Sequence, residues 1–168
     1  MEKEISLKGK IILITGGSLG LGYAVAEKCS RLGAQLILAS RTEKDLKKAA
    51  EDLKSLGGKA ATRVLDVSDK NQVKETAGWV DEKFGKLDGL VNCAGIYGPI
   101  GRLDEIDIDR FIEAIQINFL GTVFTCHYFA RLLFLTDAFT FVSESFFVFA
   151  ERLVALLAPL ASKLFKPF

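Results

Sequence analysis

Histidine and cysteine are scarce in this sequence, neither sign of charge is in excess, and no long run of apolar residues is free of interruption. The single histidine, His127, lies in a helical apolar stretch with no second histidine to pair with, so histidine chemistry is not expected. Cys29, Cys93 and Cys126 are odd in number and irregularly spaced. They form neither a disulfide framework nor a metal-binding pattern, which makes a reducing cytoplasm the expected compartment and leaves no metal site to expect. With 22 basic and 21 acidic residues there is no electrostatic case for nucleic acid. The start, Met1-Glu2-Lys3-Glu4, is polar, so no secretory signal is expected. Phe146 to Leu164 is very apolar, but Glu151, Arg152 and Pro159 interrupt it and Glu144 precedes it. A membrane span, which needs about 18 or more clean apolar residues, is therefore the less favoured reading.

Glycine is missing from the last quarter. All 15 glycines lie at or before Gly121, while 11 of the 13 phenylalanines lie at or after Phe119. Alternating strands and helices need turn residues. The chain therefore changes character near Leu132, and it divides into residues 1–133 and an atypical apolar tail, 134–168. A shifted reading frame or an alternative exon is one origin for such a break.

The earlier part is dense with signals. Ile11, Ile12, Leu13, Ile14 and Thr15 form a short apolar, β-branched run suited to a strand buried on both faces of a parallel sheet. Glycines 16, 17, 20 and 22 follow, and then a helical pattern with Leu21, Val25, Cys29 and Leu32 on one face, stopped near Gly33. Strand, glycine turn and helix bring backbone N–H groups and a helix N-terminus to a phosphate.

A second strand (Leu36 to Ala39) leads through Ser40-Arg41-Thr42 into a helix carrying Leu46, Ala49, Ala50, Leu53 and Leu56, with Thr42 and Asp45 as its N-cap pairing. A third strand runs from about Ala60 to Leu65. Asp66-Val67 closes it, and Ser68 or Asp69 caps a helix bearing Val73, Ala77, Val80 and Phe84. A fourth strand, Gly89 to Asn92, enters the loop Cys93-Ala94-Gly95, and a long helix begins near Ile108 with a stripe of Phe111, Ile115, Asn118 and Thr122. Asn118 is a polar amide on the core side and needs specific hydrogen-bond partners. Phe139 to Ser143 is compatible with a fifth strand, and Phe146 to Lys163 with a helix kinked at Pro159. Repeated βα units with short connections predict an α/β fold with a doubly wound, Rossmann-like parallel sheet.

The spacing Thr15-Gly16-x-x-x-Gly20-x-Gly22 resembles the T-G-x-x-x-G-x-G hallmark of the short-chain dehydrogenase/reductase family. Asn92-Cys93-Ala94-Gly95 is similar to that family's N-N-A-G segment, with Cys93 in place of the second Asn. Asp66-Val67 matches its D-V pair, and Asn118 sits where the family keeps an Asn in its fourth long helix. The resemblance covers roughly Leu7 to Leu133. It implies a dinucleotide site built from Gly16, Ser18, Leu19, Gly20, Leu21, Gly22, Ser40, Arg41, Asp66, Val67, Asn92, Ala94 and Gly95. For Asp66 helix capping is the competing role, and for Asn118 a core hydrogen bond. An acidic residue at the end of the second strand would bind a ribose 2′-OH, whereas Ser40 and Arg41 stand there, so NADP is expected over NAD.

The resemblance also implies a carbonyl or alcohol substrate, a homo-oligomer formed through the C-terminal helices, and catalysis by a Tyr-x-x-x-Lys pair with a serine and an ordered water. This chain departs from that pattern. None of its three tyrosines is followed four residues later by lysine: Tyr128 is followed there by Leu132. Pro159-Leu160-Ala161-Ser162-Lys163 echoes the family's Y-x-A-S-K with proline in place of tyrosine, as a five-residue chance match would. Asn118 and Ser143 are then the remaining catalytic candidates. The expectation is a truncated family member with impaired catalysis, or a non-catalytic dinucleotide-binding or interaction module.

Overall fold

The computed structural model describes residues 6–133 and 139–142. Five strands are described: β1 (Ile11–Thr15), β2 (Gln35–Ser40), β3 (Lys59–Val64), β4 (Gly89–Asn92) and β5 (Phe139–Val142). All are parallel, in the order β3-β2-β1-β4-β5. Helices α1 (Gly20–Arg31), α2 (Glu43–Ser55) and α3 (Lys70–Phe84) connect the first four strands. After β4 the chain forms α4 (Ile108–Ile115), a π-helical turn (Gln116–Leu120) and α5 (Gly121–Leu133) without a break.

β1 explains the layering. Its side chains alternate between two cores. Ile11 and Leu13 join the core built with α3 and α5, while Ile12 and Ile14 join the core built with α1 and α2. Ile12, Leu13 and Ile14 are wholly buried, each such side chain contributing about 1.5–3 kcal/mol by leaving water. The doubly wound parallel sheet is therefore what the run of apolar strands required.

Local chemistry sets the helix ends. Asp69 caps α3, accepting from the Asn71 and Gln72 N–H groups at 2.8 and 3.2 Å. Gly85 ends α3 in the left-handed region at φ 71°. Thr42 does occupy the N-cap of α2, but its side chain makes no capping bond, and Asp45 does not complete one. Both face the cavity described below.

Three helix stripes differ from the sequence expectation, that of α2 only at Leu56, which lies just past the helix end and is exposed. In α1 the buried residues are Gly22 and Ala26, and Leu21 stays exposed, because the helix docks by its smallest side chains. Along the long helix the core residues are Ala114, Ile117, Asn118, Gly121, Thr125, Phe129, Leu132 and Leu133. The wide π turn shifts the buried stripe away from Ile115 and Thr122, although Asn118 keeps its inward position. Among the described residues no helix is long and apolar enough to cross a membrane. The proposed helix over Phe146 to Lys163 lies outside the described residues.

Candidate functional site

A cavity of about 450 Å³ opens at the carboxyl ends of β1 to β4. The sheet order makes this the switch point of the fold. The chain moves outward from β1 through β2 to β3, then returns to place β4 on the other side of β1. At such a point successive loops diverge and leave a crevice for a ligand.

The glycine turn forms one wall. Gly16 has φ 65°, and a Cβ there would lie 2.8 Å from the Cys93 carbonyl oxygen and the Ala94 nitrogen. A Cβ on Gly22 would run into the Gly16 carbonyl. These glycines let the turn fold onto itself and onto the loop after β4, so that α1 points its N-terminus at the cavity. Ser18, Leu19, Gly20 and Leu21 complete this wall, with Leu19 and Leu21 exposed.

The ends of β2 and β3 form the second wall, through Ala39, Ser40, Arg41, Thr42, Asp45, Leu65, Asp66 and Val67. Ser40 Oγ is the one buried side-chain polar atom without a hydrogen-bond partner among the described residues. A buried hydroxyl left unpaired costs free energy, and it marks a place where a ligand atom would be welcome. Arg41, next to it, is exposed and makes no ion pair among the described residues. Asp66 both lines the cavity and organises its own turn, accepting from Ser68 N–H at 2.9 Å and Ser68 Oγ at 2.6 Å.

The loop after β4 is the third wall, and three polar clamps hold it. Thr15 Oγ1 accepts from Cys93 N–H and Ala94 N–H, both at 3.2 Å. Asn118 Oδ1 accepts from Ile96 N–H at 2.9 Å, and Asn118 Nδ2 donates to the Ile96 carbonyl at 2.9 Å. Asn92 Oδ1 accepts from Thr125 Oγ1 at 2.7 Å, tying the end of β4 to α5. Cys93, Ala94, Gly95, Ile96, Tyr97 and Ile117 face the cavity from this side. Burial pushes the Cys93 thiol up to about 11, which keeps it neutral and unreactive at ordinary pH.

The cavity thus gathers Gly16, Ser18, Leu19, Gly20, Leu21, Gly22, Ser40, Arg41, Asp66, Val67, Ala94 and Gly95. Asn92 lies behind the wall, with its amide committed to α5. Asn118 also lies outside the lining, and both ends of its amide are spent on Ile96. Ser143 lies outside the described residues. The lining residues outside the expected site are Ala39, Thr42, Asp45, Leu65, Cys93, Ile96, Tyr97 and Ile117. Thr42 and Asp45 had been expected only as a helix cap, and Cys93 only as part of the segment after β4.

Backbone donors at a helix N-terminus, two facing loops and a parallel switch point are the features of a Rossmann-type fold. The chain belongs to the short-chain dehydrogenase family, whose family model matches residues 10–138. It is 35% identical over 127 residues to the 3-ketodihydrosphingosine reductase of Mus musculus, covering 73% of this chain and 38% of that protein. It is 37% identical over 127 residues to the 11-beta-hydroxysteroid dehydrogenase A of Sesamum indicum, covering 74% of this chain and 36% of that one. The chain therefore spans somewhat over a third of the length of these relatives. Among solved structures it is similar to an alcohol dehydrogenase from Thermococcus sibiricus complexed with 5-hydroxy-NADP. That match has a TM-score of 0.76 and 30% identity, covering 92% of this chain and 71% of the other.

Proposed function

We propose that this chain is the cofactor-binding part of an oxidoreductase acting on a small carbonyl or alcohol, that it binds NADP in preference to NAD, and that by itself it turns over poorly. The observation that carries the cofactor reading is the unpartnered Ser40 hydroxyl beside the uncommitted Arg41 at the end of β2. A 2′-phosphate suits that pair: Arg offers a permanent charge and a planar fork of donors, and Ser a hydroxyl. The glycine turn and the α1 N-terminus suit the pyrophosphate, Asp66 and Val67 the adenine end, and Ala94 and Gly95 the nicotinamide end. The cofactor, when bound, supplies hydride transfer.

The chain's own residues position rather than react. Reduction of a carbonyl puts a hydride on carbon and a proton on oxygen, so something must donate that proton. No tyrosine with a lysine four residues on is present, and a serine hydroxyl such as that of Ser143 does not titrate near neutrality. Asn118 acts through Ile96 by holding the loop. Lack of a general acid lowers rates by about 10²–10⁴-fold. Free Cys29, Cys93 and Cys126 support a cytoplasmic setting, and exposed apolar residues on the long helix support a homo-oligomer.

Calorimetry with both cofactors is the test. NADP binds more tightly than NAD, and Arg41→Ala reduces that preference by about tenfold or more. Equal affinities, or an unchanged preference in the variant, overturn the cofactor assignment. In an NADPH-oxidation assay against ketones and aldehydes, turnover stays below about 1 s⁻¹. Binding with no turnover at all favours a second reading, a non-catalytic dinucleotide-binding module, which the missing Tyr–Lys pair also supports.

A further inference from the structure

The first turn of α2 presents a carboxylate to the cavity that the cofactor reading leaves unused. Asp45 is the third residue of the helix. Its neighbour Leu46 is buried in the core built with α1 and α2, which fixes the turn. The N-cap, Thr42, gives the helix no side-chain bond. The acids of the first turn, Glu43 and Asp45, are therefore what offsets the positive end of the helix. They stand differently. Glu43 is exposed, lies outside the cavity lining and pairs with Lys47 Nζ at 2.6 Å. Asp45 is half-buried, lines the cavity and makes no ion pair among the described residues.

The ionic lining of the cavity is one cation, Arg41, against two carboxylates, Asp45 and Asp66. Asp66 is engaged by the N–H and hydroxyl of Ser68. Arg41 stands in the short connection between β2 and α2, four residues before Asp45, and the two do not pair. Opposite charges that face one cavity without pairing both act on whatever enters it. A phosphate monoester carries about 1.5 to 2 negative charges at pH 7. The group that suits Arg41 and Ser40 is therefore one that Asp45 repels.

We infer that Asp45 is a specificity-determining residue that opposes the cofactor's 2′-phosphate. Arg41 attracts NADP, Asp45 cancels part of that attraction, and the preference over NAD is set by the difference. The inference rests on the proposed cofactor site. NAD carries a neutral hydroxyl in place of the 2′-phosphate and does not feel the repulsion. With the cavity empty, the same carboxylate complements the α2 N-terminus, so it serves the fold while it limits the ligand.

The test is calorimetry of NADP, NAD and adenosine 2′-monophosphate on the full chain. Asp45→Asn is compared with Glu43→Gln, an equal change of charge in the same helical turn but outside the cavity lining. Asp45→Asn tightens NADP and adenosine 2′-monophosphate about threefold or more and moves NAD by less than about twofold. Glu43→Gln leaves all three within about twofold, because its charge is exposed and already paired. In about 1 M salt, with a screening length of about 3 Å, the gain from Asp45→Asn falls toward nothing. A melting temperature close to the parent's shows that the variants fold. No gain for the phosphate-bearing probes, an equal gain for NAD, or the same gain from Glu43→Gln overturns the role of Asp45. Equal binding of NADP and NAD by the parent, with a preference created by Asp45→Asn, overturns the parent's NADP preference and leaves Asp45 in place. Failure of both dinucleotides to bind, with adenosine 2′-monophosphate still responding to Asp45→Asn, overturns the oxidoreductase reading alone. Failure of all three probes overturns both.

Discussion

Asp88 works at the end of the sheet remote from the cavity. Its carboxylate is 3% exposed, accepts from the Ile11 N–H at 3.0 Å, and meets Lys10 and Lys86 Nζ at 3.1 and 2.9 Å. Burial pushes this carboxyl up, but the Ile11 N–H, Lys86 and Lys10 together outweigh burial and hold it below the ordinary value. A carboxyl lowered in the folded state stabilises the fold above its unfolded pKa, near ~4, and loses that effect as pH falls through the folded value. Asp88→Asn therefore lowers stability at neutral pH by about 1–3 kcal/mol, since a charge-assisted network is lost. As pH falls from about 4 through the lowered folded value the variant and parent converge, because the parent carboxyl becomes protonated in the folded state only there. Urea melts at several pH values check both arms, and a constant difference at every pH would contradict the assignment.

At the level of elements, the π turn between α4 and α5 decides how the site is held. It carries Asn118 inward, where the amide meets both backbone groups of Ile96, and Thr122 Oγ1 donates to the Asn118 carbonyl at 2.9 Å. Two elements distant in sequence, the loop after β4 and the long helix, are thereby locked together next to the cavity. Gly121 lets α5 approach the loop after β3, since a Cβ there would lie 2.6 Å from Val67 Cγ2. Asn118→Ala leaves the Ile96 N–H and carbonyl without these partners and costs about 2 kcal/mol. Hydrogen exchange checks this directly: the Ile96 amide loses protection, while amides of β1 and β2 change only by the global loss of stability. On the proposed cofactor site, the variant is also expected to weaken dinucleotide binding about tenfold, because Ala94 and Gly95 lose a fixed neighbour.

For the whole molecule, the long helix raises the question of a partner. Ile108, Ile112 and Val123 are 53%, 46% and 44% exposed along α4 and α5, on the side away from Ala114 and Thr125. Apolar side chains repeated along one helix face are the pattern of an interface. Sedimentation velocity on the full chain is expected to show a dimer or larger species, and the double variant Ile112→Glu/Val123→Glu to shift it toward monomer. A monomer at high concentration in the parent chain would remove the homo-oligomer from the proposal.

The linear chain by itself determined the sheet, the glycine turn and most of the residues around the cavity. Those features are local. An apolar run of five residues becomes a buried strand, and a glycine spacing becomes a turn, wherever they occur in such an α/β pattern. The residues at the ends of β2 and β3 were legible because a parallel sheet must bring strand ends to the same edge. Other features were decided only by the tertiary structure. Leu21 is exposed because α1 docks by Gly22 and Ala26, which depends on how close the helix comes to the sheet. The π turn set which face of the long helix is buried, and no helical period contains that information. Asn92 and Asn118 turned toward α5 and Ile96, since a buried amide goes to whatever donors and acceptors its neighbours leave within reach. Tyr97 and Asp45 came to the cavity through backbone anchored elsewhere, by Gly98 on Ala114 and by the start of α2. Periodicity and spacing describe each segment against its own axis, whereas the side chains that meet in a cavity are chosen by the packing of several segments at once.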